Sequence, residues 1–456
     1  MNTIYILSGL GILSLAGAMF DLKKSMPLVL LVGLVTAIAL ALMHWGTTAM
    51  YFNNMISMDR YSSIYILVLL LILFVWFFAF SSDTAEHEYG FEKMALVLFS
   101  VIGGIFMISF NHLVILFLGI ETLSIPLYVL ASSHRHDPKS IESGIKYFLL
   151  SSIATGFLLF GIALIYGATG SFHLDIIQSC IASHSVKIPA LLPLGIILTL
   201  VGICFKVSAV PFHFWTPDVY EGAPTEFTAF MSTSVKVAAF AGLYRFLTMT
   251  ADPVTHPVIV IILICSVLSI ITGNLLANYP SSAKRLLAYS SIAQAGYLLI
   301  PLIKIQEDTQ RVLVYGLVAY SIASLALFTV IYAMEKSLGR IEIKSFNGLG
   351  KSHPLLALSV SICLFSLAGI PPLAGFMGKY MIFTQAMSAG FTWLTILAVI
   401  FSLVGVYYYF KIVIAMYMQP AANVSHHFDQ RLMLSVLALA LLLLILGIFP
   451  DILFHL

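Results

Sequence analysis

The sequence predicts an all-α polytopic membrane protein of about fourteen transmembrane helices, built as two inverted five-helix repeats with broken helices 7 and 12. Three observations predict it. The 456 residues are 60% hydrophobic and only 9% charged, with a mean hydropathy of +1.03. Apolar runs of about 20 residues, the length a helix needs to cross the hydrocarbon core, recur along the chain. Two of those runs are interrupted by proline at the depth where a charged residue sits. Alternating short segments, the mark of a membrane-spanning barrel, do not occur in the sequence. A net charge of +2 without a basic, aromatic-interleaved cluster gives no sign of nucleic acid. Cys180, Cys204, Cys265 and Cys363 stand alone, in no spacing suited to zinc, haem, an iron–sulfur cluster or disulfides.

The first three spans fall near 3–20, 27–44 and 61–81. Positive charges follow the first run rather than precede it, so it is expected to be a retained helix and not a signal peptide. An acidic loop with Asp83, Glu86, Glu88 and Glu92 comes next. Spans four and five lie near 94–110 and 112–131, joined by a tight turn at Asn111 and His112, and span six near 141–168 follows the basic loop His134-Arg135-His136. Span seven begins near 189 and breaks around Ser208–Pro211; span eight covers about 225–248. Spans nine to eleven lie near 256–277, 284–302 and 311–335. Span twelve starts near 354 and breaks at Gly369-Ile370-Pro371-Pro372, and spans thirteen and fourteen cover about 391–418 and 431–453.

Loop lysines and arginines set the expected orientation. One side collects Lys23, Lys24, Lys93, Arg135, Lys139, Lys284, Arg285, Lys336, Arg340, Lys344, Lys351 and Arg431, 12 in all, and the other the 5 residues Arg60, Lys187, Arg245, Lys304 and Arg311. The richer side is expected to be cytoplasmic, which with an even number of spans puts both termini in the periplasm. Five spans separate the two breaks, and an odd-numbered unit inverts on repetition. The expected divisions are 1–90 (three helices), 91–250 (first repeat, helices 4–8), 251–420 (second, inverted repeat, helices 9–13) and 421–456 (helix 14).

The chemistry concentrates around Val201–Phe240, where two apolar runs, each carrying a lysine (Lys206, Lys236), flank a knot of Pro, His, Trp, Asp and Glu. A charge at bilayer depth costs about 2.5–3.5 kcal/mol on insertion scales and marks a candidate ion path. Glu121, about nine residues inside span five, lies roughly 14 Å deep, with Ser124 on the same face and Pro126 loosening the helix after it. Ser232 and Thr233 give Lys236 a polar face, and Lys379 sits at similar depth beside the second break. Burial favours the neutral form of a lysine and a carboxylate nearby favours the charged one, so Glu121, Lys206, Lys236 and Lys379 suit a proton relay. Against this stands internal glue, a Glu–Lys pair that only fixes packing. Lys146 is a weaker relay candidate because Glu142 at i−4 offers a local pair; Lys411 can snorkel to the interface. His213 can shuttle protons or simply hold its loop, and Asp218 and Glu221 anchor that loop.

At these residues a resemblance enters. Gly144-Ile145-Lys146-Tyr147-Phe148-Leu149-Leu150, the run from Pro211 to Thr225, Lys284-Arg285-Leu286-Leu287-Ala288-Tyr289-Ser290-Ser291-Ile292, and Gly369 through Lys379 together resemble the antiporter-like membrane subunits of respiratory complex I, the bacterial NADH–quinone oxidoreductase, in its N-type branch rather than L or M. The likeness covers nearly the whole chain. It implies that Glu121, Lys206, Lys236 and Lys379 match the family's glutamate and lysines of spans five, seven, eight and twelve. Where many relatives carry histidine in span ten, this chain has Gln294, which cannot take up a proton at neutral pH.

The implied function is one proton-pumping module of a redox-driven complex in the bacterial inner membrane. The resemblance implies no cofactor in this chain; NADH, flavin, iron–sulfur clusters and quinone belong to partner subunits. The expected partners are the other antiporter-like subunits, the small K-, J- and A-type subunits and the lipid bilayer, with no nucleic acid. A subunit of a multi-subunit sodium/proton antiporter, a related membrane hydrogenase or ferredoxin-linked complex, and a structural scaffold are the alternatives.

Overall fold

The computed structural model describes residues 1–20, 22, 25–183, 191–248, 255–420 and 428–453. Among them are eighteen helices and one two-stranded hairpin. The helices are α1 (Asn2–Met19), α2 (Met26–Met43), α3 (Arg60–Glu86), α4 (Gly90–Ser109), α5 (Leu113–Ala131), α6 (Pro138–Thr169), α7 (Leu174–Ser183), α8 (Leu191–Val207), α9 (Trp215–Gly222), α10 (Thr225–Thr248), α11 (Thr255–Leu276), α12 (Ala283–Ile303), α13 (Thr309–Leu338), α14 (Leu349–Ser352), α15 (Pro354–Ala368), α16 (Ala374–Ser388), α17 (Thr392–Met418) and α18 (Gln430–Ile448). Eleven are long and apolar enough to cross a membrane. The all-α polytopic expectation holds, and both predicted breaks are present: α8 stops at Val207 before α9, and α15 stops at Ala368 before α16.

Three local features depart from the sequence reading. The hairpin β1 (Ala49–Tyr51) and β2 (Ile56–Met58) fills the connection before α3. Its turn takes positive φ at Phe52, Asn53 and Asn54, and asparagine tolerates that conformation better than most residues. The acidic loop is mostly helix: Asp83 and Glu86 end α3 and Glu92 lies in the first turn of α4. Two of the charges counted in loops are buried: Arg245 is 9% exposed and Lys284 7%. Lys23, Lys24 and Lys187 of the orientation count lie outside the described residues, as does the start of span seven near 189.

The chain divides into two units, Met1–Val207 with Ser234–Ile262, and Ser208–Thr233 with Leu263–Leu456, the divisions falling inside α10 and α11. Helices in lipid gain little from excluding water, so close backbone approach and polar contacts carry their packing. In unit 1, α6 and α8 touch backbone to backbone: a Cβ on Gly161 would lie 2.5 Å from the Thr199 nitrogen, and one on Gly195 2.8 Å from the Gly161 oxygen. The same unit is tied at one end by Arg245, whose Nη2 donates to Asp59 Oδ1 (2.9 Å), Asp59 Oδ2 (2.8 Å) and Ser62 Oγ (2.9 Å). Asp59 caps α3. Burial alone raises its carboxyl pKa, but Arg245 and the bonds from Ser62 outweigh that and hold it below the ordinary range.

Unit 2 is tied by Lys284, which donates to the Ala223 carbonyl at 2.7 Å and stands 3.7 Å from Glu335. Glu335 also accepts a short hydrogen bond from Thr225. Arg285 clamps Asp218 (2.9 Å) and Glu221 (2.7 Å), so those two carboxylates anchor α9 to α12.

Candidate functional site

In unit 1, α5, α6 and α8 bring four hydroxyl and amine groups together. Lys206 is 1% exposed near the end of α8. Its ammonium donates to Ser124 Oγ of α5 at 2.7 Å and to Ser151 Oγ of α6 at 2.6 Å. Ser151 also accepts from the Tyr128 hydroxyl at 2.6 Å. The rings of Tyr128, Tyr147 and Phe205 stand 5.8, 5.6 and 5.5 Å from the ammonium. A hydrogen bond to a charged group contributes about 1.5–3 kcal/mol. Two of them offset the roughly 2.5–3.5 kcal/mol cost of a lysine at mid-membrane, so this cradle can hold the charged form.

Helical spacing explains why these side chains meet. Tyr147, Ser151 and Thr155 recur every four residues on α6, and Glu121, Ser124 and Tyr128 at three and four on α5. Glu121 Oε1 accepts from Thr155 Oγ1 at 2.8 Å and is partly exposed. The Lys206 ammonium of α8 thus bonds to hydroxyls of α5 and α6, and the Glu121 carboxylate of α5 to a hydroxyl of α6, with no direct ion pair between them.

The other candidates fall as follows. Lys236 is 1% exposed in α10, where Ser232 and Thr233 are fully buried. Lys146 of α6 has a side chain 40% exposed and pairs with Glu142 at 2.6 Å. His213 is 8% exposed in the loop between α8 and α9, its ring 4.6 Å from that of Phe214. Lys411 donates to the Asn278 carbonyl at 2.7 Å.

In unit 2 the second break builds its own lysine seat. Gly369 ends α15 with φ +85, and a Cβ there would lie 2.9 Å from Lys379 Cδ, so the glycine both turns the chain and leaves room for the lysine stem. Lys379 is 8% exposed; its Nζ donates to the Ala368 carbonyl at 3.0 Å and to Ser402 Oγ at 2.8 Å, with the Tyr297 ring 4.8 Å away. Gln294 ties α12 to the same break by donating to the Leu367 carbonyl at 2.9 Å. A cavity of about 20 Å³ opens beside Lys379, lined among others by Gln294, Tyr320, Ser366 and Ile382. Sequence reasoning missed Ser151, Thr155 and Ser402 as partners. The four-residue spacing of the α6 hydroxyls was the available signal; nothing in sequence pairs Ser402 with Lys379.

Each seat surrounds a buried lysine ammonium with neutral oxygen acceptors, chemistry suited to taking up and giving up a proton. Among the described residues no group of three or more His, Cys, Asp or Glu side chains is placed to hold a metal ion.

The chain is similar in sequence and fold to known membrane proteins. The pattern of the NADH:quinone oxidoreductase/Mrp antiporter transmembrane family matches residues 110–405. The chain is 42% identical over 461 residues to an NADH-quinone oxidoreductase subunit N of Cytophaga hutchinsonii, covering 99% of this chain and 98% of that one. It aligns with a chain of respiratory complex I from Thermus thermophilus at TM-score 0.84 and 35% identity, over 98% and 97% of the two chains. It aligns with a chain of the membrane-bound sulfane sulfur reductase, an archaeal respiratory membrane complex, at TM-score 0.89 over 100% and 96%; at 24% identity that likeness shows a common fold alone.

Proposed function

The chain belongs to the NADH:quinone oxidoreductase/Mrp antiporter family of transmembrane subunits, and from that membership and the geometry of its buried lysines we propose that it is the N-type proton-translocating subunit of an NADH–quinone oxidoreductase. The observation that carries the reading is the Lys206 cradle. A lysine fully inside the membrane part, held by two hydroxyls and not in direct contact with a carboxylate, is costly to keep. Protonation at Lys206 would respond to any movement that brings Glu121 nearer or farther. Lys236 and Lys379 continue the relay, Lys236 beside the hydroxyls of α10 and Lys379 beside the second break.

The chain acts enzymatically only as part of that H+-translocating oxidoreductase. NADH oxidation and quinone reduction take place in partner subunits, which hold the flavin and iron–sulfur clusters. The other antiporter-like subunits and the small K-, J- and A-type subunits flank it in the inner membrane. Eleven long apolar helices, the two broken pairs counted as one pass each, and α10 give about fourteen passes, with both termini periplasmic. Residues 91–250 and 251–420 form the two inverted repeats. The test is NADH-driven acidification of vesicles carrying the assembled complex with Lys379→Ala: pumping is expected to vanish with assembly intact.

The family description also covers Mrp antiporters, which keeps sodium in view as the transported ion. A proton-only relay predicts acidification that does not depend on sodium.

A further inference from the structure

The pairing of α13 and α16 in unit 2 carries an element that the relay lysines do not include. Gly378 lies against Gly316, 3.5 Å separating a Cβ on the first from the Cα of the second. Seven residues further along α16 and seven back along α13, Gln385 meets Thr309. The helices therefore run antiparallel with one continuous seam between them. Gln385 is 6% exposed and Thr309 fully buried.

The hydrogen-bond count at this pair does not close with protein alone. Gln385 Nε2 donates a short bond to Thr309 Oγ1, which also accepts from the Gln306 amide at 2.7 Å. Gln385 Oε1 is buried with no partner among the described residues. Turning the amide end for end moves the problem without removing it: Oε1 then accepts the threonine hydrogen, and the two N–H groups lie buried instead. A buried amide end left unpaired is unfavourable, so the pair calls for water. The surface is one hydrogen bond away, where the exposed Ser388 donates to Gln306 Oε1 at 3.2 Å.

On the inner side, Lys379 precedes Gln385 by six residues, roughly 9 Å along the helix axis. Lys379 borders the 20 Å³ cavity with Gln294, Tyr320 and Ser366, room for about one water molecule. Ile382, 2% exposed, stands on the same face of α16 between that cavity and Gln385. The seam thus has a polar cavity, an apolar plug and a buried polar pair in sequence. Apolar constrictions of this kind gate by excluding water.

We propose that Thr309 and Gln385 hold a water that receives protons leaving Lys379, with Ile382 as the plug whose hydration opens the route. The proposal rests on the relay reading above. In the step itself an N–H bond of the Lys379 ammonium breaks and an O–H bond forms on the cavity water. The extra proton then passes from water to water to the one held by Gln385 and Thr309, and on to the surface. Gln385 and Thr309 stay neutral throughout; they are positioning residues for the water.

The test uses the assembled complex in vesicles, reading NADH-driven acidification and, without NADH, passive proton conductance. Gln385→Leu and Thr309→Val are expected to lower pumping at least tenfold, with quinone reduction slowed in step. Ile382→Ser is expected to raise passive conductance several-fold and to lower the pH gradient at nearly unchanged turnover. Adding Gln385→Leu to Ile382→Ser should return conductance to the wild-type level, which a merely structural glutamine would not do. If Gln385→Leu fails to assemble, the near-isosteric Thr309→Val decides. Wild-type pumping by an assembled Thr309→Val or Gln385→Leu complex, in a preparation where Lys379→Ala abolishes it, overturns the station alone. Wild-type pumping by Lys379→Ala overturns the relay beneath it.

Discussion

Removing the hydroxyls that seat Lys206 is the most direct perturbation of the first half of the relay. Ser151→Ala deletes the acceptor 2.6 Å from the ammonium and strands the Tyr128 hydroxyl that also used it; Ser124→Ala deletes the acceptor at 2.7 Å. Each loss deprives the charged lysine of about 1.5–3 kcal/mol, or roughly 10- to 100-fold in the ratio of loaded to empty sites. The double variant leaves mainly the aromatic faces more than 5 Å away, worth about 0.5–2 kcal/mol. Either single variant should therefore slow pumping measurably, and the double should nearly stop it. Fluorescence quenching of a pH probe in inverted vesicles, normalised to NADH oxidised and to complex assembled, gives the readout. Ser151→Thr keeps the hydroxyl and should retain most activity. A double variant that assembles and pumps at the wild-type ratio would refute the claim that the hydroxyls hold the transported proton's site.

Lys236→Ala should abolish pumping and slow quinone reduction while assembly persists; both rates at wild-type level would sink the relay. Glu121→Ala should impair pumping less completely, measured in the same vesicles, because it removes a carboxylate rather than a proton site. Tags at either terminus should be reachable only from the periplasm, and labelling from the cytoplasm would reverse the orientation. His112 caps α5, accepting from the Val114 amide at 3.3 Å, with its ring edge-on to His173 at 4.7 Å; burial, then the His173 charge, lower its pKa. A lowered histidine pKa gives stability that is full above about 6.5 and is lost as pH falls below it. Protection factors in the hairpin and the 110–113 turn, corrected for the intrinsic pH dependence of amide exchange, should thus fall between pH 7.5 and 5.5, and His112→Asn, still a good cap, should flatten that dependence.

The spans were legible because each is a run of apolar residues whose length the bilayer fixes. Most predicted ends fall within a few residues of α1–α18, and the breaks were marked by Pro211 and Pro371-Pro372. What the sequence hid follows from contacts distant along the chain. Lys206 meets Ser124 and Ser151 across 82 and 55 residues, and Lys379 meets Ser402 across 23. Arg245 and Lys284 looked like loop charges because their partners, Asp59 and Glu335, are 186 and 51 residues away, so the charge rule counted buried structural pairs as topology signals. Lys146 shows the opposite case: its partner was four residues away, and the structure keeps that local pair.

The two breaks look alike in sequence but satisfy their backbones differently. After α15, the Gly369 amide finds the Phe365 and Ser366 carbonyls, the Ile370 amide finds Phe365, and the Gly375 amide finds Ser366 Oγ at 3.0 Å. That break is closed by protein, and the room for water lies beside it, next to Lys379. After α8 the Val210 amide is taken by Ser269 Oγ at 2.8 Å, but Ser208 Oγ and Thr216 Oγ1 are buried without a partner among the described residues. Two such atoms within nine residues, one of them on a residue with φ +65, leave polar groups in this loop that water could satisfy. Under the proposed relay, the first break would offer proton uptake through its loop, and the second release along the seam of α13 and α16.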